Sequence, residues 1–278
     1  MAKKYIKNAD GGLYRDSKTG KPIMVDVENK FALYLSPQSA NNLYDITAYD
    51  LGSITEVAEK FFQDKIGLRS VSLPSTCTSI RSYAFDGCTN LISADMPSVT
   101  SVGNSAFYEC EKLEVANMPN VISISNNAFR NCDKLTTVDL PNCTTIGESA
   151  FYYGGTKTVN IPNVTTINDY AFCGTDLTSV NMPSVITIKY QVFTSCSKLT
   201  SLTIPASCIS IGGNSLRCGS SKNKVTFTFL GTTPPTIATT TFAASYINKI
   251  IVPKGCGETY KTATNWTTFA DYIVEAEE

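Results

Sequence analysis

The sequence predicts a repeat solenoid, β-rich with short helical turns, and three observations lead to it. A triplet recurs as Tyr83-Ala84-Phe85, Ser105-Ala106-Phe107, Asn127-Ala128-Phe129, Ser149-Ala150-Phe151, Tyr170-Ala171-Phe172 and Gln191-Val192-Phe193. Its phenylalanines lie 22, 22, 22, 21 and 21 residues apart. Each copy is followed by two apolar residues two positions apart, and then by a proline. A unit this short cannot bury its apolar face alone, so a fixed period means coils stacked on one another.

The unit from Ile124 to Pro141 shows what each position encodes. An Ile slot precedes the triplet (Ile80, Val102, Ile124, Ile146, Ile167, Ile188, Ile211) and a Leu slot follows it (Leu68, Leu91, Leu113, Leu135, Leu177, Leu199). Next come the paired positions, such as Val71 and Leu73, Ala94 and Met96, Val138 and Leu140, or Leu202 and Ile204. A period of two marks a strand with one face inward. Pro74, Pro97, Pro119, Pro141, Pro162, Pro183 and Pro205 end these strands, because proline has no N–H to give a ladder. The Ala-Phe segment lies between two extended stretches and follows polar residues (Asn104, Asn126, Glu148, Asn168). It reads as a short helical or irregular turn on the convex side, with Phe driven into the core.

The array runs past the clear copies. Val57, Phe61-Phe62 and Leu68 form a degenerate first turn. Leu216 takes the Phe slot near the end, and Ile237, Phe242, Ile250, Val252 and Pro253 make a last irregular turn. That gives about nine turns and, at about 4.8 Å per stacked strand, a stack on the order of 40 Å long. The division is 1–52 as an N-terminal capping or anchoring module, 53–253 as the solenoid and 254–278 as a C-terminal cap. Within the first module, Gly12-Leu13-Tyr14-Arg15 and Ile23 to Val27 read as a β-hairpin around a turn at 16–21, and Phe31 to Leu35 as a further strand. Ser53-Ile54-Thr55-Glu56 has the form of a capping box opening a short helix through Phe61-Phe62.

The ordered slots I-x-x-x-A-F-x-x-C-x-x-L-x-x-V-x-L-P, as they stand from Ile124 to Pro141, resemble the BspA-like leucine-rich repeats of gut and oral bacteria. The resemblance covers about 54–253, and Thr233-Pro234-Pro235-Thr236-Ile237, Ile250 to Gly255, Tyr260-Lys261 and Trp266 are similar to that family's ending. It implies a leucine-rich-repeat solenoid serving adhesion and protein–protein contact, without catalytic residues. Such proteins are usually exported, yet Met1 to Gly12 holds no apolar signal segment. The openings are a bacterial surface or secreted adhesin expressed without its signal, a cytoplasmic protein, or a bacteriophage virion fibre or decoration component. The virion reading comes first and the adhesin second.

Composition excludes other classes. The net charge is −1, with 17% charged residues, which argues against nucleic-acid binding. No run of 18 apolar residues predicts a membrane span. There is no histidine, which removes the commonest general base. Asp95 and Asp139 share a strand slot two turns apart, about 10 Å by strand spacing, on an open surface rather than in a cleft. No enzyme activity and no cofactor are expected. Of ten cysteines, Cys88, Cys110, Cys132 and Cys196 share a slot that Gly154 and Thr175 also fill, and Cys143 takes a valine slot. Interchange with Val, Gly and Thr is how a small buried thiol behaves, and no C-x-x-C or histidine suggests zinc.

Two surfaces are candidates for a partner, which would be a protein or a cell-surface glycan. Ser72, Asp95, Asn117, Asp139, Asn160, Asn181 and Thr203 form a polar stripe on the strand face. That stripe either accepts a ligand or hydrogen-bonds to itself. Tyr83, Tyr108, Tyr152, Tyr153, Tyr170 and Tyr190 flank the Ala-Phe turns and form an aromatic surface of the residue type that dominates binding energy. Residues 1–52 are the candidate contact to other virion proteins, and homo-oligomers are compatible with the pattern.

Overall fold

In each coil the chain makes two short strands and a turn, and all three hydrogen-bond to the next coil. A computed structural model describes the backbone of Lys3–Tyr5 and Met24–Asp26 and all of residues 54–277. Lys3–Tyr5 pairs antiparallel with Met24–Asp26. The strand expected at 23–27 is therefore met at Met24–Asp26, opposite Lys3–Tyr5. The expected partner at 12–15 and the strand at 31–35 lie outside the described residues.

The Ile slots form a continuous parallel sheet of nine strands, from Glu56–Val57 to Thr236–Ile237, in coil order. Its register sets Ile80 on Val102 and Ile146 on Ile167, so each slot stacks on itself. The paired slots make ten parallel strands in three groups among the described residues. Ser70–Ser72, Ser93–Asp95 and Val115–Asn117 form the first group, and Thr137–Asp139, Thr158–Asn160 and Ser179–Asn181 the second. The third joins Ser201–Ile204, Val225–Phe229, Ile247–Val252 and Ile273–Glu275. The expected count of nine turns holds for the first sheet. The tenth strand, Ile273–Glu275, lies beyond the solenoid's expected end at 253 and pairs in parallel with Ile247–Val252.

The Ala-Phe segments are of the irregular kind. Tyr83, Phe85 and Gly87 donate their N–H groups to Asn104, Ala106 and Tyr108 of the next coil, while Ala84, Asp86 and Cys88 donate back to Arg81, Tyr83 and Phe85. Left-handed residues recur four apart, as at Ser105 and Glu109 (φ 51 and 57) or Asn127 and Asn131 (φ 56 and 60). A right-handed helix cannot propagate through them, and half the N–H groups already point along the solenoid axis. The helix expected from Ser53 through Phe62 is absent for the same reason. Glu56–Val57 is a strand paired with Ser79 and Ile80, and Lys60 and Asp64 take the two left-handed positions. Ser53 itself lies outside the described residues.

The core follows the slots. Phe85, Phe107, Phe129, Phe151, Phe172 and Phe193 are buried and stacked face to face, with centroids 4.8–6.0 Å apart and planes within 8°. At the far end Trp266 and Tyr260 close the core against Phe229. Trp266 Nε1 donates to Pro235 O at 2.9 Å and Tyr260 OH to Gly231 O at 2.7 Å. The Glu275 carboxylate fixes the last strand by accepting the N–H groups of Gly255 and Gly257 at 2.9 and 2.8 Å.

Phe129→Ala removes a ring stacked on both sides and is expected to cost about 3–5 kcal/mol, read from the midpoint of chemical unfolding. Phe193→Ala, with one stacked neighbour, should cost less. The two backbone donors hold the Glu275 carboxyl below its ordinary value. Its contribution is therefore complete above the ordinary carboxylate range and fades as pH falls through the lowered value. The gap in thermal midpoint between the native chain and Glu275→Gln should be present at about pH 7 and close at about pH 3.

Candidate functional site

The strand-face stripe spends its polar groups on its own neighbours. Ser72 Oγ donates to Asp95 Oδ2 at 3.3 Å, and Asn117 Nδ2 donates to Asp95 Oδ1 at 2.7 Å. Asn160 Nδ2 donates to Asp139 Oδ1 at 2.7 Å, and Asn181 Nδ2 to Asn160 Oδ1 at 2.6 Å. The two aspartates singled out as a carboxylate pair are thus acceptors in separate ladders. The ladder breaks between Asn117 and Asp139, where the strand groups also part. Thr203 belongs to the third group and aligns with Thr228.

The tyrosines of the turn face form a connected ridge over most of their length. Tyr170 and Tyr190 meet edge to face at 5.5 Å, Tyr152 and Tyr170 at 6.2 Å, and Tyr152 and Tyr153 at 4.5 Å. Tyr108 joins them through Arg130, whose guanidinium lies 5.8 Å from the Tyr108 ring and 4.7 Å from the Tyr152 ring. Tyr83 carries Lys60 over its ring at 5.5 Å. Tyr83, Tyr153 and Tyr190 are 37, 54 and 40% exposed. Gly174 (φ +72) makes room for the ridge, since a Cβ there would sit 2.9 Å from the Tyr153 ring.

Two parts of this face escaped the sequence reading. Arg130 occupies the same slot as Tyr108 and Tyr152, directly after the stacked Phe, and that alignment is the signal that could have found it. A groove of about 410 Å³ runs beside the ridge across the coils, lined by Asn104, Asn126, Glu148, Asp169 and Lys189 among others. Asn104 Oδ1 accepts the Asn126 N–H and Asn126 Oδ1 accepts the Glu148 N–H, so the coils are tied along the groove floor. Gly147 lets them close, because a Cβ there would lie 2.6 Å from Asn126 N. Among the described residues, no group of acidic, Cys and His side chains could hold a metal ion.

A family model described as the BspA type leucine rich repeat region matches residues 55–164 and 144–268, with 6 copies. The chain belongs to the BspA-type leucine-rich repeat family. Among solved structures, a Treponema pallidum leucine-rich repeat protein is similar at 30% identity, covering 52% of this chain and 72% of that one, with a TM-score of 0.49. A leucine-rich cell surface protein from Faecalibacterium prausnitzii is similar at 22% identity over 81% of this chain and 84% of that one, with a TM-score of 0.44. A Bacteroides ovatus leucine-rich repeat protein shares 16% identity over 81% and 88%, with a TM-score of 0.30. Among curated proteins, none matches the sequence. The repeats of this BspA-type chain are a scaffold of the kind used for protein binding. No helix among the described residues is long and apolar enough to cross a membrane.

In this BspA-type solenoid the repeated Cys slot is a structural donor. The thiols of Cys110, Cys132 and Cys196 each lie 3.2 Å from the carbonyl of the Phe in the preceding coil, and Cys88 lies 2.9 Å from Phe62 O. All ten cysteines are free thiols, and nine are buried. Burial pushes Cys88 and Cys196 up to about 12, and Cys143, Cys173 and Cys208 up to about 11. A raised thiol stays protonated and unreactive near neutral pH. At about pH 8, iodoacetamide should label the half-buried Cys256 and spare the other nine until the chain is unfolded, as intact-mass spectrometry would record.

Proposed function

We propose that the chain is a non-enzymatic interaction protein that presents its turn face to a protein or glycan partner outside the cell that makes it. The observation that supports this is the contrast between its two faces. The strand stripe is occupied by its own hydrogen bonds, while the turn face keeps tyrosines and an arginine at the surface. Tyrosine and arginine are the residues that most often dominate binding energy, because they combine area, rigidity and polar tips.

The setting is adhesion, either as a fibre or decoration component of a bacteriophage virion or as a bacterial surface protein. In the virion setting the non-repeating residues 1–52 dock on the particle. Fluorescently labelled chain should bind intact epithelial or bacterial cells saturably. Tyr153→Ala with Tyr190→Ala should weaken binding by about tenfold or more, and Asn117→Ala on the strand stripe should leave it unchanged. Absence of saturable binding to either cell type, or loss on Asn117→Ala alone, overturns the reading. Mass spectrometry of purified virions, with and without residues 1–52, separates the two settings.

A further inference from the structure

The ridge carries a finer inference about its ligand, which rests on the interaction reading above. We propose that Tyr108, Arg130, Tyr152, Tyr170 and Tyr190, with the groove beside them, bind an extended, uncharged polysaccharide laid along the solenoid axis, about one sugar per coil.

The spacing is the first argument. Adjacent coils are 4.8–6.0 Å apart between stacked phenylalanine centroids, close to the length of one pyranose ring with its glycosidic oxygen. A polymer of such rings meets one coil at every step, and with it one member of the ridge, although Tyr170 and Tyr190 stand before the stacked Phe and Tyr108, Arg130 and Tyr152 after it. An extended peptide on the same line advances about 6.6–6.8 Å between residues facing one side, so it falls out of step within a few coils.

The chemistry is the second. Pyranose rings offer C–H faces that stack on aromatic rings and hydroxyls that need both donors and acceptors. The edge-to-face tyrosines present faces and edges in turn. The adjoining groove supplies the Asn104 and Asn126 amides, the Glu148 and Asp169 carboxylates and Lys189. Groove and ridge are joined where Asp169 Oδ1 accepts the Tyr190 N–H at 2.9 Å.

Arg130 is the third. Its side chain is held between two tyrosine rings, and its Nε is buried with no hydrogen-bond partner. None of the ion pairs among the described residues involves it. The terminal nitrogens make one bond among the described residues, from Nη1 to Asn127 Oδ1 at 3.4 Å, so the ordered guanidinium keeps donors for an acceptor that arrives with the ligand, such as a ring or hydroxyl oxygen. Charge decides against a polyanion. Asp86 and Glu109 act on Tyr108, and Glu148 and Asp169 act on Tyr170, so acids flank the single arginine on both sides.

The test is isothermal titration of the full chain with cellohexaose, chitohexaose and mannohexaose, and with the corresponding trisaccharides. Heparin and poly-glutamate are the anionic controls. At least one hexasaccharide should bind saturably, and at least about tenfold more tightly than its trisaccharide. Tyr152→Ala and Arg130→Gln should each weaken it by about tenfold, and Arg130→Lys should not rescue it, since the planar fork is lost. Asn117→Ala should bind as the native chain does. Because Arg130→Gln could loosen the ridge, Asp169→Asn, which keeps the side chain's shape, is the second variant and should also weaken binding. No binding by any hexasaccharide, no dependence on length, or preference for an anionic control overturns the proposal. If cells are still bound through Tyr153 and Tyr190, only the choice of ligand has failed and the interaction reading stands.

Discussion

The hydrogen bond directed along the solenoid axis is the constraint on which the rest of this structure depends. Each coil has too few residues to satisfy its own backbone, so its strands and even its turn donate to the next coil. In the turn, N–H groups alternate between the neighbouring coil and the same coil. A buried N–H without a partner is costly, so the turn cannot shift by one residue without orphaning a whole row. The left-handed residues at Ser105 and Glu109 and their counterparts are the price of that alternation. They recur because the pattern recurs, whether the residue is Ser, Asn, Tyr or Gln.

Axial bonding also accounts for the core. Once coils are held at strand spacing, identical residues stand directly above one another, and a flat ring repeated at that spacing stacks on itself. The phenylalanine column is the result. The cysteine slot is fixed the same way, each thiol lying against the preceding phenylalanine's carbonyl. The surface inherits the same column logic. On the strand face it gives ladders of Asp and Asn that hydrogen-bond to one another, and on the turn face it brings rings from different slots into contact.

The repeat, its strands and its buried slots were legible in the sequence because each depends on one residue type recurring at one position. Phe129 and Leu135 announce their burial by periodicity alone. The turn conformation was less legible, since Asn126-Asn127 is as suitable for opening a helix as for a left-handed turn, and only the row of axial bonds decides between them. Glu56 misled for the same reason: a capping-box pattern is local, and Val57 was claimed by the sheet. The strand Ile273–Glu275 was hidden because it lies beyond the period. Of the candidate site, the tyrosines were visible as residues but their joining through Arg130 was not, because it needs the coils set in register.

The coils that break the period carry the middle of the ridge. Eight residues separate Phe151 from Val159 and Phe172 from Val180, where nine separate Phe129 from Val138. These two shortened coils are also those in which Gly154 and Thr175 replace the repeated cysteine. Thr175 gives up the bond to the preceding coil and donates instead to Phe172 O of its own coil at 2.7 Å, so its buried hydroxyl is still satisfied. On the outside, the shortened coils hold Tyr152, Tyr153, Tyr170 and Gly174, the last opening the space that the Tyr153 ring fills. A stacking scaffold alone has no need of this departure, because a 22-residue coil satisfies the same ladders. The departure coincides with the place where Tyr152, Tyr153 and Tyr170 meet edge to face, so the shortened coils and the joined rings are one local feature of the turn face.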